Sequence, residues 1–213
     1  MARVTILRTN SRNPSRDTIH AAARIIKKGG VVALPTETVY GLAANPFSIR
    51  ATRKIFKIKG RSEKKPLLIL IGNRNDVYRI AKNISGAAEK LMDALWPGPL
   101  TIVFKKKKIV PHITSGGTDT IGVRLSPHPV PRALIKALGT PITAPSANIS
   151  GHPTHQSAHS VARELGDRGV ALILDGGKTT GELPSTVIDA TKRIPKIIRE
   201  GAVSEKQIRK ILG

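Results

Sequence analysis

The chain has no cysteine, which excludes structural disulfides, thiolate metal centres and a cysteine nucleophile together. Aromatic residues make up only 3% of it. Aliphatic side chains must therefore fill any interior, and single-stranded nucleic acid would find few rings on which to stack. Acidic residues are scarce too: 14 Asp and Glu stand against 36 Lys and Arg, for a formal net charge of +22. Such a chain attracts anions over a wide area, and nucleotides, nucleic acids and anionic surfaces are the partners its field favours. No segment approaches the roughly twenty apolar residues that span a bilayer, and the opening "MARVTILRTNSRNPSR" has no apolar stretch of the kind a secretory signal carries. The expected location is the cytoplasm, with no membrane partner. No G-x-S-x-G elbow is present, which argues against a serine hydrolase, and RRM, KH and Arg-Gly-rich signatures are missing as well.

What remains is a chain of 213 residues, 39% of them hydrophobic, enough for one compact domain, expected over 1–213, with a substantial core. The segment "SRDTIHAAARIIKKGG" opens with a cap signal, carries Ile19, Ala22, Ala23 and Ile26 on one face and stops at Gly29 and Gly30, the pattern of a helix. It leads into "VVAL", a short buried strand closed by Pro35. The alternation continues with helices at 49–57, 76–81, 87–95, 131–138 and 157–165 and strands "LLILI", "LTIVF", "TIGVRL", "PITA" and "VALILD". Two further strands, "STVIDA" and "KIIRE", precede a last helix from Ser204, where "SEKQ" matches a capping box. This order predicts an α/β or α+β fold with a twisted, mostly parallel or mixed open sheet and flanking helices.

Two motifs invite functional readings that their spacing does not support. "LILDGGKTT" contains Gly-Lys-Thr after a strand, but Leu172 stands where the first P-loop glycine belongs, and a glycine-rich turn is the better reading. "HPTHQSAH" places His155 and His159 four apart on an expected helix. With no glutamate between them and no cysteine anywhere, solvated histidines are favoured over a metal site, and none is expected.

A more coherent signal comes from segments in which a strand ends and hydroxyls, small residues or a fixed cation follow at once: "ALPTETVYGL", "FKIKGR" before "SEKKPLLILI", "SGGTDTIGVR", "PITAPSANISGHPT", "LPSTVID" and "KIIREG". In open α/β sheets ligands bind in the crevice at strand ends, so these pieces are expected to converge there. Lys59, Arg61, Arg124 and Arg199 suit a polyphosphate and a carboxylate, and Ser146, Asn148, Thr154 and Ser185 offer hydroxyl and amide partners. Taken singly each has a plainer reading, since Lys-Gly-Arg also ends helices and Ser-Ala-Asn also makes turns.

In their order, "PTETVYGLAANPF", "KGR" followed by "KPL", "LWPGPLTIV", "TIGVR", "APSANISG", "PSTVID" and "IIREG" closely resemble the YrdC-like family of threonylcarbamoyl-AMP synthases, in its short form without an extra C-terminal domain. The resemblance implies an enzyme that joins L-threonine, bicarbonate and ATP into threonylcarbamoyl-adenylate, releasing pyrophosphate, around a large concave basic cavity. A downstream tRNA-threonylcarbamoyl transferase machinery then uses the product. Carried over by motif, the family pattern implies that Thr38, Arg124, Ala144 and Ser185 hold threonine. It also implies that Lys59, Arg61, Lys65, Thr120, Ser146, Asn148, Thr154 and Arg199 line the ATP pocket, with Lys59 and Arg61 as the catalytic pair. Magnesium is expected on the ATP phosphates, with no protein metal site. Two positions depart from the pattern: Leu70 stands where some members have histidine, and Ser62 where a proline often follows the arginine. The polar stretch "GRSEKKP" reads as a mobile lid or as an exposed connection. Direct contact with tRNA or another RNA is compatible with the charge, as is an RNA-binding module without catalysis. Related domains in hydrogenase-maturation proteins, which make a different carbamoyl adenylate, are a closer rival.

Overall fold

The computed structural model describes residues 4–181 and 183–213; residues 1–3 and 182, within the span expected as one domain, lie outside the described residues. In chain order the elements are β1 (Thr5–Arg8), α1 (Arg16–Lys27), β2 (Val32–Leu34), β3 (Gly41–Ala43), α2 (Ile49–Lys59) and β4 (Ile69–Ile71). After a 3-10 turn (Arg74–Asp76) come α3 (Val77–Ile80), β5 (Ala81–Lys82), α4 (Gly86–Leu95), β6 (Leu100–Lys106), β7 (Thr120–Leu125) and α5 (Pro129–Leu138). The chain continues through β8 (Ile142–Thr143), α6 (Ala158–Leu165), β9 (Leu172–Asp175), β10 (Thr186–Asp189), β11 (Lys196–Arg199) and α7 (Glu205–Leu212).

The helices start where the sequence signals them. Ser15, Ser48, Ser85, Ser157 and Ser204 each accept a hydrogen bond from a backbone N–H in the first turn, and at Ser204 the capping box with Gln207 is complete. Gly60 ends α2 in the left-handed region at φ 56 and turns the chain sharply after Lys59. The helix expected at 76–81 is instead a 3-10 turn and one α-turn, because Ala81 pairs with Lys106 as strand.

The expected α/β architecture with mixed sheet and flanking helices is present, its strands divided between two sheets among the described residues. One has the order β1-β9-β2-β3, the first three parallel and β3 antiparallel to β2. The larger runs β11-β10-β6-β7-β4-β8 with β5 on β6, and mixes parallel and antiparallel pairs. β1, β3 and β5 were not expected as strands. β1 is a largely exposed edge and β3 is only "GLA", so neither carries the apolar run that identifies a strand in sequence.

The sheets meet between β3 and β8, where Thr143 Oγ donates to Leu42 O and accepts from Ala44 N, at 3.0 and 2.9 Å, and Gly41 bridges Ser146. α1 and α5 pack Ile26 and Leu134 into a cluster containing Leu34 and Leu174 of one sheet and Leu70 and Ile142 of the other. α2 and α6 cover the smaller sheet through Ile55 and Val161.

Alternation along the larger sheet sorts its residues. Ile102 and Phe104 of β6, Ile121 and Val123 of β7 and Ile188 of β10 enter the core beneath α4 and α7. Thr101, Val103, Thr120, Gly122, Arg124 and Val187 point the opposite way and line a cavity. Ile102→Ala is expected to lower stability by about 2–5 kcal/mol, because this fully buried side chain sits mid-sheet between β7 and β10. Equilibrium denaturation measures this, and a loss below about 1 kcal/mol would mean that the layer is not close-packed there.

Candidate active site

The cavity lies on the open face of the larger sheet and holds about 420 Å³. The crevice expected at strand ends is thus replaced by a sheet-face hollow. Its walls are the three segments that follow β2, α2 and β8, and its rim is formed by Pro184, Ser185, Ile198 and Arg199.

The β2–β3 connection, "PTETVY", bends back on itself. Thr36 Oγ donates to Val39 O at 2.7 Å and accepts from Thr38 N at 3.2 Å, which turns the threonines toward Arg124. Arg124 is buried and reaches them through one nitrogen, Nη2, at 3.2 Å from Thr38 Oγ and 3.4 Å from Thr36 Oγ. Its countercharge is Glu37, whose Oε1 lies 2.8 Å from the same Nη2 and whose other oxygen accepts from Ser126 Oγ. The Oε1 contact is one of charge without hydrogen-bond alignment. Glu37 also opposes the burial that holds His128 below its ordinary pKa. Tyr40 is fully buried; its hydroxyl donates to Gly177 O at 2.8 Å, and burial followed by the nearby Asp175 charge pushes its pKa up. The glycine turn that resembled a P-loop is therefore the anchor for this tyrosine.

Lys59 ends α2 and is almost fully buried, with Nζ donating to Ser146 O at 2.5 Å, Asn148 O at 2.7 Å and Asn148 Oδ1 at 3.1 Å. Three acceptors around one ammonium satisfy every proton it carries. Burial first, and then the Arg61 charge, bring its pKa down to about 8. Beyond Gly60, Arg61 reaches the cavity and donates to Pro66 O at 3.0 Å, while its Nε is buried without a partner. Burial holds its pKa below the ordinary arginine value. Across the hollow, Arg199 donates to Ser185 O at 2.7 Å, and Ser185 Oγ meets Thr101 Oγ at 2.8 Å. Burial and the charge of Arg124 lower the pKa of Arg199.

Of the residues singled out from sequence, Thr38, Arg124, Ala144 and Ser185 all reach the cavity, as do Arg61, Thr120, Ser146, Thr154 and Arg199. Lys59 and Asn148 stand behind the wall and hold it, and Lys65 lies on the exposed connection, its N–H bonded to Ser62 O at 3.1 Å. Ser62 Oγ also accepts from Lys64 N, so this position organises the turn. Leu70, where the departure was noted, is buried and presents an apolar surface to the hollow. Glu37 and Thr101 were missed. Glu37 lay within the "TETVY" segment, but nothing in that segment indicated an arginine 87 positions further on as its partner.

The pair His155 and His159 needs correction: α6 begins at Ala158, so His155 precedes the helix and the two do not share a helical face. Among the described residues no group of three acidic, histidine or cysteine side chains is arranged to hold a metal. Among the described residues, none that lines the cavity is acidic.

The electrostatics give a sign that can be measured. Between about pH 8 and the ordinary lysine value of 10.5, the unfolded chain keeps a proton that folded Lys59 has released, so this group makes stability rise with pH across that window. Stability profiles of the wild type and Lys59→Met, compared by denaturation from pH 7 to 11, should differ by that rise. Parallel profiles would show that Lys59 titrates normally.

The Sua5/YciO/YrdC family, described as "Telomere recombination", matches residues 24–201. A threonylcarbamoyl-AMP synthase of Pyrococcus abyssi is 44% identical over 195 residues, 92% of this chain and 57% of that protein. One from Bacillus subtilis is 39% identical over 197 residues, 92% of this chain and 56% of that protein. The chain thus spans little more than half the length of these two relatives. Among solved structures, Pyrococcus abyssi Sua5 complexed with L-threonine superposes with a TM-score of 0.94 at 41% identity, over 99% of this chain and 61% of that one.

Proposed function

The chain belongs to the Sua5/YciO/YrdC family, and from that premise we propose that it is a threonylcarbamoyl-AMP synthase acting as one domain over residues 1–213. Its substrates would be L-threonine, bicarbonate and ATP, and its products threonylcarbamoyl-AMP and pyrophosphate. One observation carries the reading: Arg61, Arg124 and Arg199 come from three separate segments to one cavity whose lining, among the described residues, is rich in hydroxyls and has no carboxylate. That arrangement suits two anionic substrates, one with a carboxylate and one with phosphates.

In this reading Arg124, held by Glu37 and flanked by Thr38, takes the threonine carboxylate, with Ala144 and Ser185 nearby. Thr120, Ser146, Thr154, Arg61 and Arg199 face the nucleotide. Lys59, Asn148 and Lys65, which the family pattern also assigns to ATP, contribute by holding the wall and the 61–66 connection rather than by lining the hollow. The neutral amine of threonine attacks bicarbonate, losing water to give a carbamate. A carbamate oxygen then attacks the α-phosphorus of ATP as pyrophosphate leaves. No step needs a protein nucleophile; the protein positions the reactants and stabilises the developing negative charge. Magnesium would arrive on the ATP phosphates as part of the substrate, since among the described residues no acidic or histidine group is arranged to hold it, and no step above is routed through it.

The product would pass to a transferase machinery acting on tRNA in the cytoplasm. Contact with RNA is a second, compatible role, supported by a hollow where Lys82, Lys105 and Lys108 cluster with Asp119 as the acidic neighbour. A gel shift at rising salt tests it.

Purified protein should release pyrophosphate only when threonine, bicarbonate and ATP are all present; release independent of threonine would sink the assignment. Arg61→Ala should lose about 2–4 kcal/mol of transition-state stabilisation, or roughly thirty- to thousandfold in rate, and a near-normal rate would remove Arg61 from the chemistry. Serine should turn over more slowly than threonine, because Leu70, Val103 and Ala144 offer the methyl group an apolar wall. Equal turnover would mean that no methyl pocket exists.

A further inference from the structure

The histidines of "GHPTHQ" have a partner that the sequence did not suggest. Glu164, three residues beyond the buried Val161 on α6, reaches both: Oε1 lies 2.6 Å from His152 Nδ1, and Oε2 lies 2.7 Å from His155 Nε2. Oε2 also accepts the Ile149 backbone N–H at 3.0 Å. Both oxygens are therefore engaged, and one carboxylate ties the segment after β8 to a helix at three points. Burial pushes the Glu164 carboxyl up, but the Ile149 N–H and the two histidines outweigh it and hold its pKa below the ordinary value.

The tied residues lead to the cavity. His152 O accepts from Asn148 Nδ2 at 2.6 Å, and Asn148 Oδ1 in turn accepts from Ser146 Oγ at 2.6 Å and from Lys59 Nζ. His155 O accepts the Tyr40 backbone N–H at 3.0 Å, closing the same segment onto the "TETVY" wall. Thr154, between the two histidines, faces the cavity but is itself exposed and has no side-chain partner among the described residues. Its position therefore depends on the residues either side of it. The helix supplying the carboxylate is fixed by buried Ala158, Val161 and Leu165.

We propose that Glu164 is a positioning residue: through His152 and His155 it holds Thr154, Asn148 and Ser146 as the nucleotide-facing wall of the cavity. The proposal rests on the synthase reading for the identity of the nucleotide, and on geometry alone for the clamp. Glu164 does not line the cavity, so its removal should act through the clamped segment on ATP and spare threonine, whose side of the cavity is built by Thr38 and Arg124.

The test compares full-length wild type, Glu164→Ala and Glu164→Gln, titrating ATP and L-threonine separately by calorimetry and following amide hydrogen exchange at Tyr40. Glu164→Ala should weaken ATP roughly tenfold or more and leave threonine within about twofold, and it should speed exchange of the Tyr40 N–H, whose acceptor is on the clamped segment. Glu164→Gln, which keeps a carbonyl acceptor, should fall between it and the wild type. Unchanged ATP affinity, or equal weakening of both ligands alongside a lower melting temperature, would overturn the proposal by reducing Glu164 to general stability. If Glu164→Ala does not fold, the same criteria apply to Glu164→Gln. Wild type that binds neither ligand would sink the synthase reading, and the clamp would then stand or fall on the exchange measurement, with unaltered Tyr40 exchange counting against it.

Discussion

The cavity depends on the burial of a single ammonium. Lys59 leaves the last turn of α2 and donates to three oxygens of the segment after β8. An ammonium this buried is costly unless each proton is accepted. Here the acceptors are two carbonyls and one amide oxygen, so the cost is offset only when helix end and loop stand in one arrangement. The neighbouring Arg61 can then reach the cavity, because Gly60 reverses the chain between them in a conformation that favours glycine.

The same logic governs the rest of the site. Arg124 needs a countercharge in the interior, and Glu37 supplies it from the turn that also presents two threonine hydroxyls. Arg199 and Arg61 are satisfied in part by backbone carbonyls, which bind a guanidinium without neutralising it. Among the described residues, the hollow is lined by these three arginines and by no acidic side chain. Such fixed cations need little reorganisation when negative charge develops before them. The arrangement is consistent with a protein that binds two anions and contributes no nucleophile.

The supports are arranged in layers. The sheet supplies the floor, since residues alternate between the core under α4 and α7 and the open face. The helices α2 and α6 supply the struts, one through a lysine and the other through a glutamate, and both act on the short segment from Ser146 to His155. A loop of that length has few apolar residues of its own to hold it, so polar ties from rigid helices substitute for packing.

Much of this was legible from the chain alone. Period, caps and glycine stops located nearly every helix and the apolar strands, because each of those signals is local and depends on neighbours within a turn or two. Most of the residues singled out from the ordered motifs line one cavity, with Lys59, Asn148 and Lys65 outside its lining. Three things were decided only by tertiary structure. The strands divide into two sheets, since "GLA" and "TILR" become strands by pairing and not by their own apolar pattern. The site lies on a sheet face, because α4 and α7 cover only the other side. Lys59 is a strut, Glu37 a countercharge, and His155 pairs with Glu164 and not with His159. Each of those last assignments joins groups distant in sequence, and no local pattern encodes which buried charge will find which acceptor once the chain has closed.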